Sequence, residues 1–207
     1  MTERSLAAGI AELPPAAEAG QWQRHASARL APTALNGYAS NGRWGTPDGF
    51  PVLYLGRPAD SVVVEAYRHQ VDPLVFDTDG DRERFLAGLL PRVLITCTVQ
   101  VTDLLDLRSA TARAATGLTM QDLTSPTNDR ESYLRCQAVA QVAHQIGRHG
   151  VIAPAATGLG ETLALFTDLL PKAQKPQRSK QDEHWVHLPH DPRQPPVRPL
   201  RLVLGDS

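Results

Sequence analysis

Cysteine is scarce in this 207-residue chain: Cys97 and Cys136 stand alone, with no near neighbour of their kind. That excludes a zinc knuckle or a vicinal redox pair, and it leaves two reduced core thiols as the simplest reading. No apolar run approaches the roughly 20 residues needed to cross a bilayer, so a membrane-spanning helix is not expected. The start, MTERSLAAGIAELPPAAEAG, lacks a basic stretch followed by a long apolar one, and a cytoplasmic location is the expectation. Lysine is also rare, limited to Lys172, Lys175 and Lys180, and the formal net charge is −1. The whole molecule therefore offers no electrostatic case for nucleic acid.

Hydrophobic residues make up 42% and charged residues 21%, which is ordinary for one well-buried globular core. Val93 to Val101 is rich in β-branched residues and predicts a central strand. Pro51 to Leu55, Val151 to Ala155 and Glu161 to Phe166 predict further strands, the last two joined by the turn Thr157 to Gly160. Ser109 to Thr116 predicts a short helix closed by Gly117. Glu131 to His149 gives the clearest helix, with Leu134, Gln137/Ala138, Val142 and Ile146 as its stripe and Gly150 as its stop. Irregularly mixed strands and helices point to an α+β fold rather than a doubly wound sheet. Residues 1–20 read as a mobile or partly helical N-terminal segment, interrupted at Pro14-Pro15. Residues 21–171 form the domain, and 172–207 a basic Pro-rich tail whose Leu200 to Leu204 reads as a final edge strand.

Candidate chemistry gathers between Gly37 and Gln70. Arg43 lies in a glycine-bracketed loop, where its planar fork suits a phosphate pair. Tyr54 follows on a strand. Asp60 or Ser61 is placed to cap a helix carrying Glu65 on its second turn. The residues alone leave blander roles open: an arginine that fixes its own loop, a core tyrosine and a solvated helical glutamate. His184, His187 and His190 with Asp191 form a ladder that Pro189 disrupts, so no metal site is expected. Gly158-Leu-Gly160 lacks the third glycine of a dinucleotide fingerprint and reads as a turn.

The ordered set of Arg43, Tyr54 and Glu65, then Cys136-Gln-Ala-Val139, Gly150 to Ala156 and Leu163 to Phe166, resembles the RES domain, a family of bacterial toxins. The order and spacing fit from about Trp22 to Phe166. The resemblance implies an ADP-ribosyltransferase-like core of small mixed sheets with flanking helices and a cleft for NAD between them. It implies an intracellular toxin that cleaves the nicotinamide–ribose bond of NAD and is neutralised by an Xre-type antitoxin, through which alone it would meet nucleic acid. NAD would be substrate, with no resident cofactor. Water and inorganic phosphate are both open as acceptors, and a homodimer is an open arrangement.

In that reading Glu65 stabilises the oxocarbenium ion, while Arg43 and Arg24 hold the pyrophosphate. Tyr54 packs on ribose or nicotinamide, and His25 stands in the family's aromatic position beside Arg24. One departure stands out. Ala155 replaces the serine of the family's Val-Pro-Ser-Ala motif, leaving Ser132, Tyr133 or Thr157 to supply a hydroxyl. Two alternatives follow: transfer of ADP-ribose to a macromolecule, or a catalytically weak binding protein with the same fold. Release of free nicotinamide without any added macromolecule separates the first reading from both.

Overall fold

In the computed structural model, which describes residues 2–195, long β-pairings set the architecture. Strand β3 (Arg92–Asp106) is the axis. Along one edge it pairs antiparallel with β1 (Ala16–Ser27), from Ser27 opposite Arg92 to Ala16 opposite Leu104. Along the other it pairs in parallel with β4 (Gly150–Pro154) and antiparallel with the short β6 (Gln177–Arg178) and β7 (Glu183–Trp185). Strand β5 (Glu161–Phe166) lies antiparallel between β4 and β2 (Val52–Arg57), and β2 meets β1 at Gln23 opposite Gly56. The order β1-β2-β5-β4-β3 thus closes back on β1 as a ring within one seven-stranded sheet.

The pleat sends alternate residues to opposite faces. Trp22, Leu53, Leu55, Cys97, Val99, Leu104, Ile152 and Leu163 form one buried cluster, drawn almost entirely from the strands. The opposite residues, such as Val52, Val151 and Phe166, lie under three helices: α1 (Glu3–Glu12), α4 (Ala110–Thr116) and α6 (Arg130–Gln145). The short α5 (Met120–Thr124) packs against α6. A third cluster joins Val62, Val63, Ala66 and Tyr67 of α2 (Ala59–Gln70) to Leu94 and Trp185. A further helix, α3 (Asp79–Ala87), buries none of its residues fully, and its weak apolar patterning gave no sequence signal.

Several expectations change. One continuous sheet replaces the small sheets, because the 15-residue β3 stitches β1, β4, β6 and β7 together. The core starts before residue 21. Helix α1 buries Leu6 and Ile10, and β1 opens at Ala16 just after Pro14-Pro15. Beyond residue 171 the chain still contributes β6 and β7 to the sheet. The edge strand expected at 200–204 lies outside the described residues. In α6 the buried residues are Ser132, Cys136, Val139, Ala140, Val142 and Ala143; of the expected stripe Val142 is buried, whereas Leu134 and Ile146 are exposed. The buried face is rotated away from Leu134 and Ile146 toward Cys136, Val139, Ala140 and Ala143.

Candidate active site

The second half of β1, the loop at 36–45, the end of β2, one face of α2 and the turn at 154–157 enclose a cleft of about 910 Å³. Arg24, His25, Arg43, Tyr54 and Glu65 all line it. Among the described residues its charged lining consists of four arginines (Arg24, Arg43, Arg68, Arg92) and one carboxylate, Glu65. Unless balanced by a ligand, that is an excess of positive charge in a partly desolvated space, and it favours an anion.

Arg43 is buried at 8% exposure and its fork is already occupied. Nη1 donates to the Asp122 carbonyl and, at 3.1 Å, to Ser125 Oγ; Nη2 donates to the Ser125 carbonyl at 2.6 Å. Its guanidinium also lies 4.6 Å from the Tyr133 ring centroid. These are the free carbonyls at the end of α5, which a cation satisfies well. The fork expected to grip a pyrophosphate is therefore spent on ordering this wall of the cleft.

The loop around Arg43 is held from two sides. Gln137 of α6 donates its side-chain amide to the Gly42 carbonyl at 2.8 Å and the Gly45 carbonyl at 3.0 Å, and it reaches Asn41 Oδ1 at 3.1 Å. Tyr54 Oη accepts the Trp44 amide at 2.9 Å. A Cβ at position 42 would overlap the Tyr54 hydroxyl, so any larger residue there would displace that ring. Burial raises the Tyr54 pKa well above the usual tyrosine value, so the phenol stays protonated. Its proton remains available while its oxygen accepts from Trp44.

Helix α2 presents Ser61, Glu65 and Arg68 to the cleft, at positions i, i+4 and i+7 of one stripe. The helix follows Pro58 and has no side-chain cap, so neither Asp60 nor Ser61 plays the capping role. Glu65 is about one-third exposed, with Arg68 Nε at 3.7 Å and His69 Nδ1 at 3.4 Å. Arg68 donates through Nη2 to the Ser125 carbonyl at 3.2 Å, but its buried Nε has no hydrogen-bond partner. Arg24 donates through Nη2 to Tyr38 Oη at 3.0 Å and leaves a buried Nη1 unpaired. Two guanidinium nitrogens are thus buried at the wall of one cleft without a hydrogen bond, Arg68 Nε facing only the Glu65 carboxylate at 3.7 Å.

His25 accepts a hydrogen bond from Arg92 Nε at 2.9 Å on Nδ1. Burial first, and then the neighbouring Arg92, His69 and Arg24 charges, lower its pKa to about 3. His25 is thus neutral at physiological pH, with its proton on Nε2.

The family's missing serine finds no echo at Ala155, which is 2% exposed and does not line the cleft, although Pro154, Ala156 and Thr157 do. Ser132, another candidate, donates to Asp129 and Asp122 instead. Thr157 lies on the cleft and shares a 2.8 Å hydrogen bond with Ser61. Arg68, Arg92, Tyr38 and Ser61 escaped the sequence reading as site residues; the stripe Ser61/Glu65/Arg68 was the signal available for two of them. Cys97 and Cys136 are buried, and burial pushes both thiols up to about 11, so they stay protonated. Asp191, at the end of the histidine ladder, is taken up by Arg193.

Comparison with known proteins gives consistent results. The family model described as "RES domain" matches residues 19–188. Curated proteins named NAD(+) phosphorylase MbcT, from Mycobacterium bovis and Mycobacterium tuberculosis, are 32% identical over 127 residues. That match covers 60% of this chain and spans 61% of the relatives' length. Among solved structures, a chain of the M. tuberculosis MbcT–MbcA toxin–antitoxin complex matches with a TM-score of 0.68 at 25% identity, covering 87% of this chain and 91% of that one.

Proposed function

Because this chain belongs to the RES domain family, with the family model spanning residues 19–188, we propose that it is a toxin that cleaves the nicotinamide–ribose bond of NAD and is neutralised by an antitoxin. The observation that carries this reading is the charge arrangement: one carboxylate, Glu65, among four arginines on a cleft of about 910 Å³, a size suited to a ligand of this class.

The bond to be broken joins ribose C1′ to a cationic nicotinamide ring, which departs neutral and needs no proton. One carboxylate therefore suffices where ordinary glycoside cleavage uses two. Glu65 stabilises the developing oxocarbenium ion. Arg24 and Arg68, on the cleft lining, hold the phosphates, while Arg43 orders the wall that it shares with Arg68 at Ser125. Neutral His25 offers Nε2–H as an uncharged donor. Tyr54, fixed by Trp44, supplies an aromatic surface and a phenolic proton. No resident cofactor is required.

Inorganic phosphate is the acceptor that the net positive lining of the cleft favours. A phosphate oxygen forms the new bond to C1′, the C1′–N bond breaks with its electron pair leaving on nicotinamide, and the product is ADP-ribose 1″-phosphate. The naming of the curated relatives as phosphorylases supports the same choice. The reading carries with it an ADP-ribosyltransferase-like ancestry for the fold, action on the cytoplasmic NAD pool and an Xre-type antitoxin that occludes the cleft. Incubating inhibitor-free protein with NAD, with and without phosphate, and following the products by phosphorus NMR tests it. A new phosphomonoester signal together with free nicotinamide is expected. Intact NAD, or ADP-ribose appended to an added macromolecule, would refute it.

A further inference from the structure

We propose that Ser61 binds a hydroxyl of the nicotinamide ribose, and that Thr157 is the residue that positions it. The assignment rests on the NAD-cleaving reading above and supplies the hydroxyl function that Ala155 lacks.

Ser61 is only 3% exposed, yet it lines the cleft, so a ligand meets it on the cleft floor. Its Oγ lies 2.8 Å from Thr157 Oγ1, and that is its only side-chain hydrogen bond among the described residues. Thr157 Oγ1 is further engaged by Leu159, accepting from its amide at 3.2 Å and lying 3.2 Å from its carbonyl. A hydroxyl has one proton to give and two lone pairs to fill. Thr157 is engaged by both Ser61 and Leu159, whereas Ser61 is engaged by Thr157 alone. If Thr157 donates to Leu159, Ser61 gives its proton to Thr157 and keeps two lone pairs for a substrate O–H. If Thr157 donates to Ser61, the Ser61 proton is free for a substrate oxygen. In both arrangements Ser61 keeps the larger unused capacity.

Position decides the ligand class. Ser61 precedes Glu65 by one helical turn on the same stripe, and side chains at i and i+4 are neighbours. A sugar whose anomeric carbon sits at the Glu65 carboxylate therefore has its ring hydroxyls within reach of Ser61. An uncharged hydroxyl pair also suits a neutral polyol better than the phosphates, which the arginines serve. A merely structural role remains distinguishable: the bond ties α2 to the turn between β4 and β5, and a tie would act alike on every substrate.

The test pairs variants with substrates. Wild type, Ser61→Ala and Thr157→Val are assayed for nicotinamide release from NAD and from analogues lacking the 2′- or the 3′-hydroxyl of the nicotinamide ribose, with thermal melting as a control. Ser61→Ala is expected to lower kcat/KM for NAD by about tenfold, and to cause little or no further loss with one of the two analogues. Thr157→Val, which leaves the Ser61 oxygen in place, should show a smaller loss with the same substrate pattern, and it carries the test if Ser61→Ala fails to fold. Equal losses on NAD and both analogues, or no loss on NAD, would overturn the assignment while leaving NAD cleavage intact. A wild type that releases no nicotinamide would overturn both.

Discussion

Replacing Arg43 by methionine keeps an unbranched apolar stem and removes the guanidinium with all its donors, and the consequence is worked from its contacts. The Asp122 carbonyl loses its guanidinium and keeps only a 3.4 Å bond from Ser125 Oγ and a long contact from the Cys136 thiol. The Ser125 carbonyl loses its 2.6 Å bond but keeps Arg68 Nη2 at 3.2 Å. Hydrogen bonds from a charged donor contribute about 1.5–3 kcal/mol each, and the Tyr133 stacking adds roughly 1 kcal/mol. With the partial replacements counted, Arg43→Met should cost about 3 kcal/mol. Arg43→Lys keeps one carbonyl bond and should cost about half of that, on the order of 1.5 kcal/mol. Urea unfolding followed by tryptophan fluorescence, which Trp44 beside the site makes sensitive, should show a midpoint lowered by about 1 M or more for Arg43→Met. Calorimetry on the folded Arg43→Lys protein should find NAD affinity close to wild type. Unchanged stability with strongly weakened NAD binding would refute the reasoning and return the fork to the substrate.

Three further outcomes are expected. The His25 pKa is lowered from 6.5 to about 3, so the unfolded chain binds a proton that the folded one refuses; stability contributed by neutral His25 is full above pH 6.5 and falls by up to about 1.4 kcal/mol per unit as pH drops toward 3. Urea midpoints at pH 7 and pH 5 should show this slope in wild type and much less of it in His25→Gln, and equal slopes would contradict it. Gln137→Leu frees the loop at 41–45, so hydrogen exchange at the Trp44 amide should accelerate and turnover should drop; unaltered exchange would mean that Tyr54 holds the loop alone. Ala155→Ser puts a hydroxyl in a buried site off the cleft, so it should lower stability by about 1–3 kcal/mol without raising turnover, and a clear gain in nicotinamide release would overturn that placement.

The strands and the principal helix were legible because β-branched runs, Gly117 and the apolar run of 151–166 speak locally. The residues Arg43, Tyr54 and Glu65 were legible through their ordered spacing, and the loop at 36–45, β2 and α2 place them on one cavity. Their partners were not. Arg43 meets Asp122 and Ser125 across about eighty positions, and Ser61 meets Thr157 across ninety-six; separations of that size are set by sheet closure, on which local pattern is silent. The face of α6 was misjudged in part for a related reason: its large Leu134 and Ile146 drew the stripe outward, but the buried face carries Ser132, Cys136, Val139, Ala140, Val142 and Ala143. The terminal segments were read as loose from their prolines, yet α1 and β7 are tied down by burial of Ile10 and Trp185.

The central claim is that Glu65 stabilises a cation formed when NAD loses nicotinamide. Glu65→Gln preserves shape and removes the charge, and nicotinamide release by the folded variant and by wild type, in the same phosphate buffer, tests the claim most directly. A loss of about 100-fold or more in kcat is the result predicted. A folded Glu65→Gln protein that releases nicotinamide at the wild-type rate would contradict it.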